Sequence, residues 1–235
     1  MDRAAQVRLL REGDVEVLGR VVGSSNQALL VAVSLDGETG NACYKSEAGE
    51  RPLWDFPDGL WRREVAAYEL DVVLGTDLVP TTVGRDDLPY GPGSLQWWVG
   101  DNGEDHYFTL RDRPEFADWF AGLAAFDVVA NNADRKSGHV LYDETRLWAI
   151  DNGLCFHEQD KLRTVVWEYA GLEVAPDLIE RLDAFARGAG DNLAEWLSPH
   201  EVASARSRAR GLVASSEYPT PDEDRDWPPY PWPLV

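Results

Sequence analysis

Two carboxylates stand seventeen residues apart in surroundings suited to phosphoryl transfer. Asp134 lies in Asn131-Asn132-Ala133-Asp134-Arg135-Lys136-Ser137-Gly138-His139, and Asp151 in Ala149-Ile150-Asp151-Asn152-Gly153-Leu154-Cys155-Phe156. Phosphoryl transfer asks for little covalent chemistry from a protein. It needs one carboxylate to orient the attacking hydroxyl and another to hold a metal on the nucleotide phosphates. Asp134 is the candidate catalytic base or hydroxyl-orienting group. Asp151 follows the apolar run Leu147-Trp148-Ala149-Ile150 and precedes Asn152-Gly153. A charge placed there needs a partner, and metal coordination supplies one. His139 is a candidate second metal ligand, since a neutral imidazole ligates Mn²⁺ or Mg²⁺; the bland alternative is a loop histidine making one hydrogen bond. Arg135 reads as a structural tether.

The remaining candidates fall upstream. Lys45, at the end of Ala42-Cys43-Tyr44-Lys45, is the candidate phosphate-binding cation, against the alternative of a solvated strand end. A strand lysine held against phosphates needs an acidic partner, and a helical glutamate is the usual supplier. Glu64 is the expected partner, with Glu69 as the fallback. Gly23, Ser24 and Ser25 fall between two expected strands, where small residues let backbone N–H groups approach phosphate, although ordinary turns look alike. Gln96-Trp97-Trp98-Val99 reads as an inter-lobe hinge, Trp98 and Val99 meeting the adenine, or else as plain core. Cys43 and Cys155 are expected to be structural, both facing the cleft. Lys161 and Arg163 are candidate holders of an acidic acceptor, or mere surface balance.

The elements that must position these groups follow from periodicity and turn chemistry. Strands are expected over 15–22, 28–35 and 41–46, the last two joined through a turn at 36–40. A helix over 61–74 carries Trp61, Val65, Tyr68 and Val72 on its apolar face, capped by Asp58 and closed by Gly75. Strands follow at 78–83 and 94–99. A helix over 114–129 presents Phe116, Trp119, Phe120, Leu123 and Phe126. After the two motif segments come helices over 176–189, 191–197 and 199–215. The last twenty residues hold six prolines, two tryptophans and five acidic residues. They read as an extended or disordered end, or as a strap on the lobe. The expected fold is α+β and two-lobed, with a small antiparallel-sheet N-lobe over 1–99 and a helical C-lobe over 100–215. The tail occupies 216–235.

Composition narrows the partners. A net charge of −20 over 235 residues argues against nucleic acid and against an anionic bilayer. Two cysteines exclude a disulfide scaffold. No apolar run approaches the ~18 residues of a membrane span, and Met1-Asp2-Arg3 opens no signal-peptide pattern, so a cytoplasmic location is expected. Three lysines against nineteen arginines suggest a GC-rich, bacterial genome.

Asp134-Arg135-Lys136 with Ile150-Asp151-Asn152-Gly153 resembles the Asp-Arg-His and Ile-Asp-Phe-Gly pair of the phosphatidylinositol 3-/4-kinase family. The chain is also similar to the secretory-pathway atypical kinases that phosphorylate secreted proteins and proteoglycan xylose. That second similarity runs through Glu64–Leu74 and Val79-Pro80 to Arg85, covering roughly 40–156. The resemblance implies a kinase-like fold and ATP-dependent transfer with Mg²⁺ or Mn²⁺. By position it makes Lys45 phosphate-binding, Glu64 its partner, Asp134 catalytic and Asp151 metal-binding. The chain departs from the lipid kinases where Lys136 replaces His and His139 replaces Asn. Two function classes remain in view: an active kinase for a protein, sugar, cyclitol or, least favoured, lipid hydroxyl; and a pseudokinase that binds nucleotide to regulate a partner. Nucleotidyl transfer on the same fold is a third.

Overall fold

Residues 29–46 alternate in burial on either side of a two-residue turn, and they build the centre of the sheet. The computed structural model describes residues 1–21, 27–100, 103–222 and 227–234. Strands β1 (Asp14–Arg20), β2 (Leu29–Leu35), β3 (Glu38–Ser46), β4 (Thr82–Arg85) and β5 (Gly93–Trp97) form one antiparallel sheet in the order β1-β2-β3-β5-β4. Asp36 and Gly37 both take positive φ, at 51° and 87°, so the β2–β3 turn is tighter than expected. Strand β3 therefore starts at Glu38, pairing with Leu35.

Val31, Val33, Ala42, Tyr44, Val83 and Leu95 point to one face of this sheet. Leu9 and Leu10 of helix α1 (Arg3–Glu12) complete that core. The sequence reading contained no α1; its few apolar positions leave a weak helical stripe. Because strand side chains alternate, Cys43 and Lys45 emerge on the opposite face. Helix α2 (Leu60–Leu74) lies against β4 and β5 and also against the helical half of the molecule. It is consequently buried almost all round, with Arg62 and Val72 exposed, so Val72 is not part of the apolar face.

The start of α2 corrects a second expectation. Gly59, in a left-handed conformation, is its N-cap, and Asp58 does not cap it. The Glu50 carboxylate does so from a distance, accepting from Gly59 N at 2.9 Å and Trp61 N at 2.7 Å. The segment expected as a strand over 78–83 is extended only from Thr82. Before it, the buried Asp71 carboxylate accepts from Thr76 Oγ1 and from the Leu78 and Val79 amides. Those donors are thereby taken from any sheet ladder. Likewise β5 ends at Trp97, so Trp98 and Val99 lie beyond it.

The second half is helical: α3 (Tyr107–Leu110), α4 (Ala117–Ala130), α5 (Pro176–Arg187) and α6 (Pro199–Ser215), with the hairpin β6 (Val140–Tyr142) and β7 (Leu147–Ala149). Helix α4 starts later than expected because 114–116 is a 3₁₀ turn, and 191–195 is also 3₁₀. Phe120, Leu123 and Phe126 of α4 join Leu70 and Leu74 of α2 and Phe185 of α5 in one large core, with Phe116 and Trp119 at its margin. The α+β, two-lobed arrangement expected from the sequence is the one found. The tail takes the strap form: Tyr218 is buried, and Pro229 and Leu234 carbonyls accept hydrogen bonds from the helical half. No helix among the described residues is long and apolar enough to cross a membrane.

Candidate functional site

Strand β3 carries Lys45 opposite Ser94 of β5, and α2 carries Glu64 beneath it. The Lys45 ammonium donates to Glu64 Oε1, and to Asp151 Oδ1 at 2.7 Å. Two groups expected from separate sequence segments thus converge on a third, 106 residues away from Lys45. Glu64 serves both halves, since its Oε2 accepts from Asn152 N at 3.1 Å. Glu69, the fallback partner, bonds Asn192 instead. Gly153 leaves room for this approach: a Cβ there would stand 3.3 Å from Glu64 Oε1, a tight contact. Asp151 itself has φ 58°, the left-handed region that Asp tolerates better than most residues. This turns its carboxylate back toward Lys45.

Burial opposes the charge on Lys45, but Asp151 and Glu64 outweigh it and raise its pKa. The Lys45 ammonium in turn holds Asp151 far below the ordinary carboxylate range. His139 lies on the other side of Asp151, its Nε2 3.4 Å from Oδ2. Burial pushes the imidazole down to about 4, so it is neutral at neutral pH. An ionised carboxylate and a neutral imidazole are the protonation states a metal needs. Mg²⁺ commonly takes one or two protein carboxylates and completes its shell with phosphates and water, so this donor pair fits one end of such a site. Among the described residues no group of three or more His, Cys, Asp or Glu side chains converges as a metal cluster.

Asp134 stands across the cavity, with its amide donating to Asn132 Oδ1 at 2.9 Å and its Oδ2 accepting from Lys136 Nζ at 2.8 Å. Burial raises its pKa against the pull of Lys136, which strengthens it as a proton acceptor. Beneath it is a buried hub that the sequence reading did not identify. Asp127 of α4 receives Arg135 Nε and Nη2, Asn132 Nδ2 and Thr164 Oγ1. Arg135 continues to Ile150 O at 2.8 Å and Asn152 Oδ1 at 2.6 Å. One guanidinium, with no solvent exposure, therefore ties α4 and the Asp134 loop to the Asp151 segment. The signal was present: Asp127 interrupts the apolar run Ala124 to Ala130, and a charge in a helix buried there needs a partner.

Lys45, Glu64, Asp134, Asp151 and Gly153 line a cavity of about 230 Å³, with Gln27, Glu50 and Trp61 among its walls. Gly23, Ser24 and Ser25 lie outside the described residues. Trp98 and Val99 are not brought to this wall; Trp98 N donates to Asn41 O and its indole is exposed. Cys43 shares the Lys45 face, whereas Cys155 is buried in the helical core and does not face the cleft. Lys161 pairs with Asp55 at 3.1 Å, both side chains largely covered. Arg163 lies near enough to Asp134 to pull its pKa down.

No model of a known protein family matches the chain. Protein Rv2133c of Mycobacterium tuberculosis (strain H37Rv) is 36% identical over 264 residues, covering 96% of this chain and 94% of that protein. In fold the chain is similar to the Golgi casein kinase solved with Mn and ADP bound, at TM-score 0.59 and 15% identity. That alignment covers 91% of this chain and 75% of the other. It is also similar to hydra Fam20 solved with sugar, at TM-score 0.51 and 14% identity, covering 88% and 87%. At these identities the likeness is one of fold, and it agrees with the two-lobed arrangement described above.

Proposed function

The chain belongs to the family of Protein Rv2133c, and on that premise we propose that it is an ATP-dependent phosphotransferase acting on a hydroxyl acceptor. The observation that carries this reading is the Lys45 ammonium bonded to both Glu64 and Asp151 across the cavity from Asp134. A fold shared with a kinase solved with Mn and ADP supports it.

The roles follow from chemistry. Lys45, held by Glu64, presents a fixed positive charge to the nucleotide phosphates. Asp151 and His139 would hold Mg²⁺ or Mn²⁺, which when bound neutralises charge on those phosphates. Asp134 accepts the acceptor's hydroxyl proton. The hydroxyl oxygen forms a bond to the γ-phosphorus, the bond to the β–γ bridging oxygen breaks, and ADP leaves with that electron pair. A cavity of about 230 Å³ suits the polyphosphate end of a nucleotide, since whole small-molecule sites run to ~300–1,000 Å³. The acceptor is a protein or small-molecule hydroxyl. A membrane lipid ranks lowest, because a chain of net charge −20 is repelled by an anionic bilayer.

A second reading, a nucleotide-binding regulatory module, draws on one observation. Both Asp151 oxygens are engaged, by Lys45 and by His139, and a metal has to displace part of that pairing. Transfer from γ-labelled ATP to acceptor pools separates the two readings. Labelled product that is lost in Asp134→Asn supports the phosphotransferase. Nucleotide binding without turnover, unchanged by Asp134→Asn, supports the module.

A further inference from the structure

Residues 227–234 lie over the Asp134 loop as a strap with bends at 229–230 and 232–233. Four of those eight residues are proline. Proline offers a carbonyl but no N–H, and the strap's described backbone bonds match that asymmetry. Pro229 O accepts from Thr164 N and from Trp167 Nε1, each at 3.1 Å, and Leu234 O accepts from Ser137 N at 2.8 Å. All three donors belong to the body. Two of them flank the candidate catalytic loop: Ser137 is three residues past Asp134, and Thr164 bridges Arg135 in parallel. The 163–165 segment uses its other edge for that bridge, with Arg163 N and Val165 N donating to Asn132 O and Arg135 O. The Thr164 amide is thereby left facing the strap, as an edge that an added strand can use.

The strap is lightly held. Pro231 is buried, but Trp227, Tyr230, Trp232 and Leu234 stay exposed, at 56%, 45%, 87% and 37%. Among the described residues, its ring contact is Trp227 against Trp54, at 6.2 Å between ring centres, and Trp54 is itself 82% exposed. A cavity of about 460 Å³ remains under the tail, walled by Trp167, Leu212, Tyr218, Pro219 and Pro229. A segment evolved only as core would bury its tryptophans and close that space.

We propose that the Thr164 edge, the Ser137 amide and the Trp167 indole form a docking site for a proline-rich polypeptide. The chain's own residues 227–234 are its resident, displaceable occupant. Proline restricts the backbone before binding, so a proline-rich segment loses little entropy on docking, and its rings pack on aromatic faces. The site stands apart from the phosphotransfer reading, although a polypeptide docked there passes beside Asp134.

The test uses the full chain, in wild type and in the exposed-ring variants Trp227→Ala and Trp54→Ala. Amide hydrogen exchange is read at Ser137 and Thr164, and anisotropy follows a labelled peptide of residues 227–235. The expected result is exchange at both amides at least about fivefold faster in each variant, with α6 unchanged. The peptide is expected to bind Trp227→Ala at least about fivefold more tightly than wild type, and to restore protection. Unchanged exchange in both variants, or no peptide bound to Trp227→Ala, would overturn the proposal by making the strap a fixed part of the lobe. A melting shift with Mn²⁺ and ATP on the same samples keeps the two readings distinguishable. Peptide exchange without a nucleotide response sinks the phosphotransferase and spares the docking site; the reverse pattern does the opposite.

Discussion

The buried Arg135–Asp127 pair decides whether the Asp134 loop keeps its shape. Removing one member of such a pair strands the other charge without water. Asp127→Ala is expected to cost about 3–5 kcal/mol, read as a lower urea midpoint, and to remove activity with it. Lys45→Met should leave the fold intact and abolish nucleotide-dependent stabilisation. Asp134→Asn should bind nucleotide like wild type and lose about 10²–10⁴ in turnover, the usual worth of a positioned proton acceptor. Cys43 gives a chemical check. Burial pushes its thiol up to about 11, so at pH 8 only about a thousandth is thiolate. Native protein should alkylate slowly there and denatured protein fast; rapid native labelling would contradict the burial. At this scale Lys45, Glu64, Asp134 and Asp151 were legible because each sits in a short local pattern of strand, helix or loop. Asp127 was not singled out, since its four donors come from residues 132, 135 and 164 and no local pattern names them.

Elements were legible where periodicity is local. Strand β2 is an apolar, partly β-branched run joined to β3 by the turn chemistry of Asp36-Gly37, and α6 has the Ser198–Glu201 capping box with Pro199 at its first position. Long-range caps were not. Glu50 replaces Asp58 at the start of α2 through two bonds that span nine and eleven residues, which no helix-start pattern contains. Leu78-Val79 looks like a strand by composition, yet its amides are consumed by Asp71. Helix α2 positions Glu64, so its N-terminus bears on the site. Glu50→Ala should lower stability by about 0.5–2 kcal/mol, as for the loss of a cap, in a denaturant titration. The same variant should weaken nucleotide binding; wild-type stability would show that α2 is capped by other groups.

At the scale of the molecule, α2 contributes to the core of the helical half and lies against β4 and β5, and the site forms where β3, α2 and the Asp151 segment converge. The chain shares its fold with the Golgi casein kinase at 15% identity, and Protein Rv2133c matches it along nearly its whole length. The C-terminal strap was legible only as one of several alternatives, because proline-rich composition restricts the backbone but does not say where the chain lies. The most direct measurement of the central claim is thermal melting with ATP, with and without Mg²⁺ or Mn²⁺, on wild type and Asp151→Ala. A ligand bound only by the folded state raises the melting temperature by mass action. At about a hundred times Kd the rise expected is about 5–10 °C, metal-dependent and lost in Asp151→Ala. No rise with either metal, or an equal rise in the variant, would contradict a nucleotide and metal site built on Lys45 and Asp151.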